Sequence, residues 1–203
     1  MIAGARWGLT TMAVVALALA GCSQPGAAAP SDGRPVVLTT FPGEGGQPIP
    51  AFALNIAENV AGEHLQVASI TKAGAEIHGY EPTPGDVARA ADADLILDNG
   101  LNLEAWFAQF VGSADVPHVV VSDGVAPIDI AEDAYAGKPN PHAWMSPANV
   151  QTYVDNMVTA FGDLDPAHAD DFAANGAAYK AQLQGIQDEL VAELSALPEG
   201  QRA

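Results

Sequence analysis

The sequence predicts an α/β fold: a mainly parallel four-stranded sheet flanked by helices, followed by a long C-terminal helix. Three observations predict it. Short β-branched runs alternate with segments of helical period between Pro35 and Asp123. The order β-α-β-α-β-α-β implies parallel strands joined by right-handed crossovers. The last segment, from Pro166 to about Leu194, carries one continuous helical stripe.

The elements follow in order. "VVLTTF" (Val36–Phe41) is a buried strand. "AFALNIAENVAG" places Phe52, Ile56 and Val60 at helical spacing and stops at Gly62. "LQVASIT" (Leu65–Thr71) alternates as a strand, "DVARAADA" is a short helix, and "DLILDNG" (Asp94–Gly100) is a strand with a glycine stop. "NLEAWFAQFVG" gathers Leu103, Trp106, Phe107 and Phe110 on one helical face, and "HVVVSD" (His118–Asp123) is the fourth strand. Three helix starts share an N-cap side chain followed by proline: Thr83-Pro84, Ser146-Pro147 and Asp165-Pro166. Asp86 completes an approximate capping box on the first. In the final stripe, Phe172, Gly176, Tyr179, Leu183, Ile186, Leu190 and Leu194 span on the order of 40 Å. Gly176 and Gly185 each cost that helix about 1 kcal/mol relative to alanine, so it needs tertiary support.

The chain has 203 residues, 49% of them hydrophobic, enough for one domain with a sizeable core, or a domain plus an extension. Its net charge of −18 speaks against a nucleic-acid partner, which needs clustered lysine and arginine. Residues 1–21 carry one charge, Arg6, then an apolar run too short to span a bilayer comfortably but suited to a signal segment. The run ends in Leu19-Ala20-Gly21-Cys22, which resembles a bacterial lipoprotein signal. A diacylglyceryl group on Cys22, which would become the mature N-terminus, supplies the two acyl chains that anchor a protein stably to the extracytoplasmic face of a membrane. Cys22 is the sole cysteine, so no intramolecular disulfide forms and the fold relies on its core. Residues 22–34, rich in Pro, Gly and small side chains, are expected to be a flexible tether.

Candidate chemistry concentrates on two of the five histidines. His64, His118 and His168 sit at a turn, a strand start and a helix start, where surface or structural roles suffice. His78 lies in "GAEIHGYEPTPGDV", framed by Gly74, Gly79, Tyr80, Pro82 and Pro84, with Glu76 and Glu81 close by. His142 lies in "GKPNPHAWMSP", where Pro139, Pro141 and Pro147 stiffen the backbone and Trp144 and Met145 offer an apolar wall. Rigid imidazoles beside aromatic side chains suit a preorganised metal site. From these residues alone, metal ligation and structural roles both stay open. Enzymatic readings have little support: there is no G-x-S-x-G elbow beside Ser146 and no H-E-x-x-H. "GEGG" (Gly43–Gly46) lacks the Lys-Ser/Thr of a phosphate loop and reads as a plain loop.

Two stretches carry a family resemblance: "ITKAGAEIHGYEPTPGDVARAADADLILDNGLNLEAWF" and "AYAGKPNPHAWMSPANVQTYVDNM". They resemble the metal-binding lipoproteins of ABC importers, the manganese/iron branch of the cluster A-I substrate-binding proteins. The resemblance implies two α/β lobes bridged by one long helix, with a divalent transition metal between the lobes. It implies manganese or iron as cargo, with zinc possible, and an ABC permease as partner. It assigns His78 and His142 as the first lobe's metal ligands; Glu81 and Trp144, from their places in the two stretches, are expected to frame them. Family members draw a Glu and an Asp from the second lobe. In this sequence 35–165 corresponds to the first lobe and 166–203 to the bridging helix. The final "LPEGQRA" falls where the family continues into its second lobe, so the expectation is a half-site, completed by a further lobe or a partner chain. "PGEGGQPIP" after Phe41 departs from the family's short strand-to-helix passage. The rival readings are a surface adhesin or scaffold lipoprotein without metal transport, and a metal-dependent hydrolase.

Overall fold

A computed structural model describes residues 32–41, 52–72, 74–107 and 116–201. Cys22, the signal segment, most of the tether, Gly43–Gly46 and Phe110 lie outside the described residues. Four strands form one parallel sheet: β1 (Val36–Thr39), β2 (Gln66–Ser69), β3 (Leu95–Asp98) and β4 (His118–Val120). Their spatial order is β2-β1-β3-β4. Val37 pairs with Val67 on one side and Leu95 on the other, and Leu97 pairs with Val119. The strand order reverses between β1 and β3, and such a switch point opens a crevice at the carboxyl edge of the sheet.

The central strands are apolar on both faces because both faces are covered. Val37, Leu95 and Leu97 join one core with Ile56, Val60, Tyr153, Phe161 and Phe172. Leu38 and Ile96, pointing the other way, pack with Ile70, Ala90 and Phe107. The helices supplying the first core are α1 (Phe52–Ala61), α3 (Pro147–Leu164) and the long α4 (Ala169–Ala196); Ala90 belongs to α2 (Pro84–Ala91).

The caps behave differently from one another. At α2 the full capping box forms: Thr83 Oγ1 accepts from the Asp86 N–H, and Asp86 Oδ2 accepts from the Thr83 N–H. Ser146 occupies the N-cap of α3 without a side-chain cap bond, so Pro147 alone marks that start. Asp165, the C-cap of α3, makes no side-chain cap bond to the chain that follows either. A 3-10 turn, Pro166–His168, intervenes before α4, and Asp165 accepts instead from the His168 ring at 2.7 Å. The long helix therefore starts three residues later than the proline suggested.

Within α4 only Phe172, Gly176 and Leu183 are fully buried, and Ile186, Leu190 and Leu194 face solvent. The predicted stripe is covered over its first half alone, by α1 and α3. Among the described residues no helix is long and apolar enough to cross a membrane.

Candidate metal centre

The site is built on the loops at the carboxyl edge of the sheet. After β3 the chain turns through Gly100, Leu101 and Asn102, all with positive φ (75°, 53° and 63°). Gly100 is required there, because a Cβ would stand 2.4 Å from Val120 Cγ1. Leu101 and Asn102 adopt the left-handed conformation at a cost of order 1 kcal/mol or more each, so the surroundings must enforce it. Glu104 anchors the start of the loop: its buried Oε1 accepts from the Asn99 N–H at 2.8 Å and from the Thr40 hydroxyl, tying this loop to the end of β1. Burial raises the Glu104 pKa, and the bonds from Thr40 and Asn99 partly offset that.

The loop after β2 carries His78. Glu76 folds back on it, its two oxygens accepting from the N–H groups of His78 (2.9 Å) and Gly79 (2.7 Å). Those same two N–H groups hold the Glu76 pKa below the ordinary carboxylate value. Trp106 donates its indole N–H to the Ile77 carbonyl at 2.8 Å and packs against Tyr80 at 5.2 Å between ring centroids. Tyr80 donates to Asp86 of the capping box at 2.9 Å, so the loop is stitched to the start of α2.

The segment bearing His142 is held from three sides. The Asn140 N–H donates to the Ile128 carbonyl (2.8 Å), and Asn99 Nδ2 donates to the Pro141 carbonyl (3.1 Å). Asn99 is itself fixed by the Tyr153 hydroxyl at 2.7 Å. From α3, Asn149 donates to the Ala143 carbonyl at 3.0 Å. Trp144 packs edge-on to His142, with centroids 5.1 Å apart, and to Phe41 at 5.5 Å.

These loops bring His78 and His142 together edge-on, with ring centroids 5.3 Å apart and ring planes at 67°. Both rings are exposed at the edge of a pocket of about 690 Å³ that Leu101, Asn102, Tyr135 and Lys138 also line. Partial desolvation at the pocket edge, and then the neighbouring His78, push the His142 pKa below the ordinary imidazole value, which favours the neutral form that a metal requires. The spacing is compatible with one shared ion. Metal–nitrogen bonds of about 2.0–2.1 Å put each ring centroid roughly 3.2 Å from the metal and the two centroids about 5 Å apart at a tetrahedral angle. Among the described residues, no group of three or more His, Cys, Asp or Glu side chains is arranged to hold a metal.

Other expected residues fall differently. Glu81 is exposed, and the carboxylate holding the His78 turn belongs to Glu76, because the turn aims two N–H groups back along the chain. Met145 is 78% exposed, so the apolar wall is Trp144 alone. His64 and His168 are more than isolated surface residues: their rings stack at 3.9 Å, His64 meets Asp171 at 3.2 Å, and His168 meets Asp165. Sequence reasoning passed over Asn140 and the strained loop at 100–102. The only sequence signal for Asn140 is an asparagine two residues before a histidine, a spacing that permits local side-chain-to-backbone bonding.

Residues 52–203 match the profile of the family described as zinc-uptake complex component A, periplasmic. The chain belongs to this family. Among curated relatives, the iron-binding protein YfeA of Yersinia pestis is 48% identical over 82% of this chain and 51% of its own length. The manganese-binding lipoprotein MntA of Halalkalibacterium halodurans is 33% identical over 93% of this chain and 60% of its own. The chain thus spans about half the length of the curated relatives it matches. Among solved structures, the manganese-bound periplasmic metal-binding protein of Candidatus Liberibacter asiaticus is 31% identical, with a TM-score of 0.65 over 79% of this chain and 56% of that one. The family's description names zinc, whereas these two relatives are named for iron and manganese, so membership by itself does not select the metal.

Proposed function

We propose that this chain is the metal-capturing part of an extracytoplasmic substrate-binding lipoprotein of an ABC importer. His78 and His142 are its imidazole ligands for a divalent transition metal, with manganese or iron as the cargo and zinc as an alternative. The observation that carries the reading is the approach of those two rings, from loops far apart in sequence, to 5.3 Å at the carboxyl edge of the sheet. Neutral imidazole suits first-row transition metals, and the relatives' names cover iron and manganese.

Two imidazoles leave coordination positions open. Carboxylates from a second lobe, in this protein or a partner, fill them and favour harder ions such as manganese. In this reading 35–165 is the metal-binding lobe, the helix from 166 onward bridges to the rest, Cys22 carries the lipid, and a permease receives the ion. The role is transport without catalysis.

Calorimetric titration of the chain with zinc and with manganese tests the reading. One site per chain is expected, with manganese bound weakly because the second lobe's carboxylates are missing from it, and binding falls by more than tenfold in His78→Ala and in His142→Ala. Binding unchanged in both variants would refute the site. Release of Cys22→Ser from the membrane fraction tests the anchor separately.

A further inference from the structure

The structure assigns Asn140 as a positioning residue that sets which nitrogen of His142 faces the metal. Asn140 Oδ1 accepts from the backbone N–H of His142 at 3.0 Å. The same atom lies 2.9 Å from His142 Nδ1. The backbone N–H can only donate, so the Asn140 atom it reaches must be the carbonyl oxygen and not the amide nitrogen. A carbonyl oxygen cannot donate, so the second contact is a hydrogen bond only if Nδ1 carries the proton. In a neutral imidazole the lone pair is then on Nε2. Asn140 thus fixes the tautomer and limits ring rotation through a single acceptor atom.

Asn140 is itself held. Its backbone N–H donates to the Ile128 carbonyl at 2.8 Å, and Pro139 and Pro141 flank it. Trp144 lies edge-on to the His142 ring, so the ring is confined by packing as well as by the hydrogen bond. A ligand ring with its second nitrogen already satisfied loses less freedom when the metal arrives. The purpose of this arrangement rests on the metal-binding reading above; the tautomer itself does not.

The test uses the full chain, ¹⁵N-labelled and metal-free, at a pH where imidazole is neutral. Two-bond ¹H–¹⁵N correlation spectra report which ring nitrogen is protonated. The signals of His142 are assigned by their loss in His142→Gln. The expected result is a protonated Nδ1 and an unprotonated Nε2 in the wild type and in Asn140→Asp, which keeps an acceptor. Asn140→Leu removes the acceptor and should shift His142 toward the Nε2–H form. Zinc affinity should fall roughly 10–100-fold in Asn140→Leu and stay within a few-fold in Asn140→Asp. A wild-type His142 protonated on Nε2 overturns the proposal, as does an Asn140→Leu protein with unchanged tautomer and affinity. Should Asn140→Leu fail to fold, the wild-type and Asn140→Asp spectra still decide the tautomer. A ring in the expected tautomer that zinc leaves unshifted overturns the metal-binding reading instead, and with it the purpose given to Asn140.

Discussion

Gly176 of α4 lies so close to Val158 of α3 that a Cβ at position 176 would stand 2.4 Å from Val158 Cγ2. The glycine that weakens the helix in isolation is what allows the two helices to touch. Gly185, about two and a half turns further on, has nothing within 4 Å of the corresponding point. The two positions therefore respond oppositely to alanine. Gly185→Ala should stabilise the protein by up to about 1 kcal/mol through helix propensity. Gly176→Ala gains the same propensity but overpacks the contact, which typically costs about 1–3 kcal/mol, so it should destabilise. Urea melts of the two variants check this; a stabilised Gly176→Ala would count against the close approach.

Asp98 ends β3 with one carboxylate oxygen, Oδ1, buried and, among the described residues, without a hydrogen-bond partner. Burial, then the charges of Glu104 and Asp123, push its pKa up to about 7. The unfolded chain releases that proton near about 3.9. Between those values the folded state binds more protons, so this group makes stability fall as pH rises from about 4 to about 7. Asp98→Asn should flatten that slope and be more stable than the wild type at pH 8 by on the order of 1–3 kcal/mol. Melts at pH 4.5 and 8 measure it, and identical slopes in the two proteins would contradict the assignment.

Asp86 shows the opposite sign. Burial pushes its pKa upward, but hydrogen bonds from Thr83, Arg89 and Tyr80 outweigh that and hold it down at about 2. Its contribution is complete above the ordinary carboxylate range and is lost as pH falls toward 2. Thr83→Ala should cost about 1 kcal/mol at neutral pH, as for other N-caps. Asp86→Ala should cost more, because Arg89, which also reaches the Ser69 carbonyl at 3.1 Å, loses its carboxylate partner. The difference between wild type and Asp86→Ala should shrink in melts at acid pH.

Glu76 grips the backbone of His78 and Gly79 from an exposed position. Under the proposed function, Glu76→Ala should weaken zinc binding roughly tenfold by loosening the His78 turn. Glu81→Ala, five residues along, should leave it unchanged. Equal losses in the two variants would place the effect in general surface charge instead, and titrations at two salt concentrations would separate the causes.

Much of this was legible in the sequence, for a local reason. Runs such as "VVLTTF" and "DLILDNG" lack strict polar alternation because both faces of a parallel sheet are buried, and their alternation with segments of helical period specifies the fold class. Glycine and proline around His78 and His142 marked both as rigidly held before any contact was known. What the sequence left undecided depends on packing between segments. Periodicity records whether a residue is buried; it does not record against what. The order β2-β1-β3-β4, the meeting of His78 with His142, the choice of Glu76 over Glu81 and the contact of Gly176 with Val158 each need two distant or differently turned backbones placed within a few ångströms. The proton on His142 Nδ1 needs finer placement still, since it follows from one oxygen of Asn140 lying within hydrogen-bond reach of two donors at once.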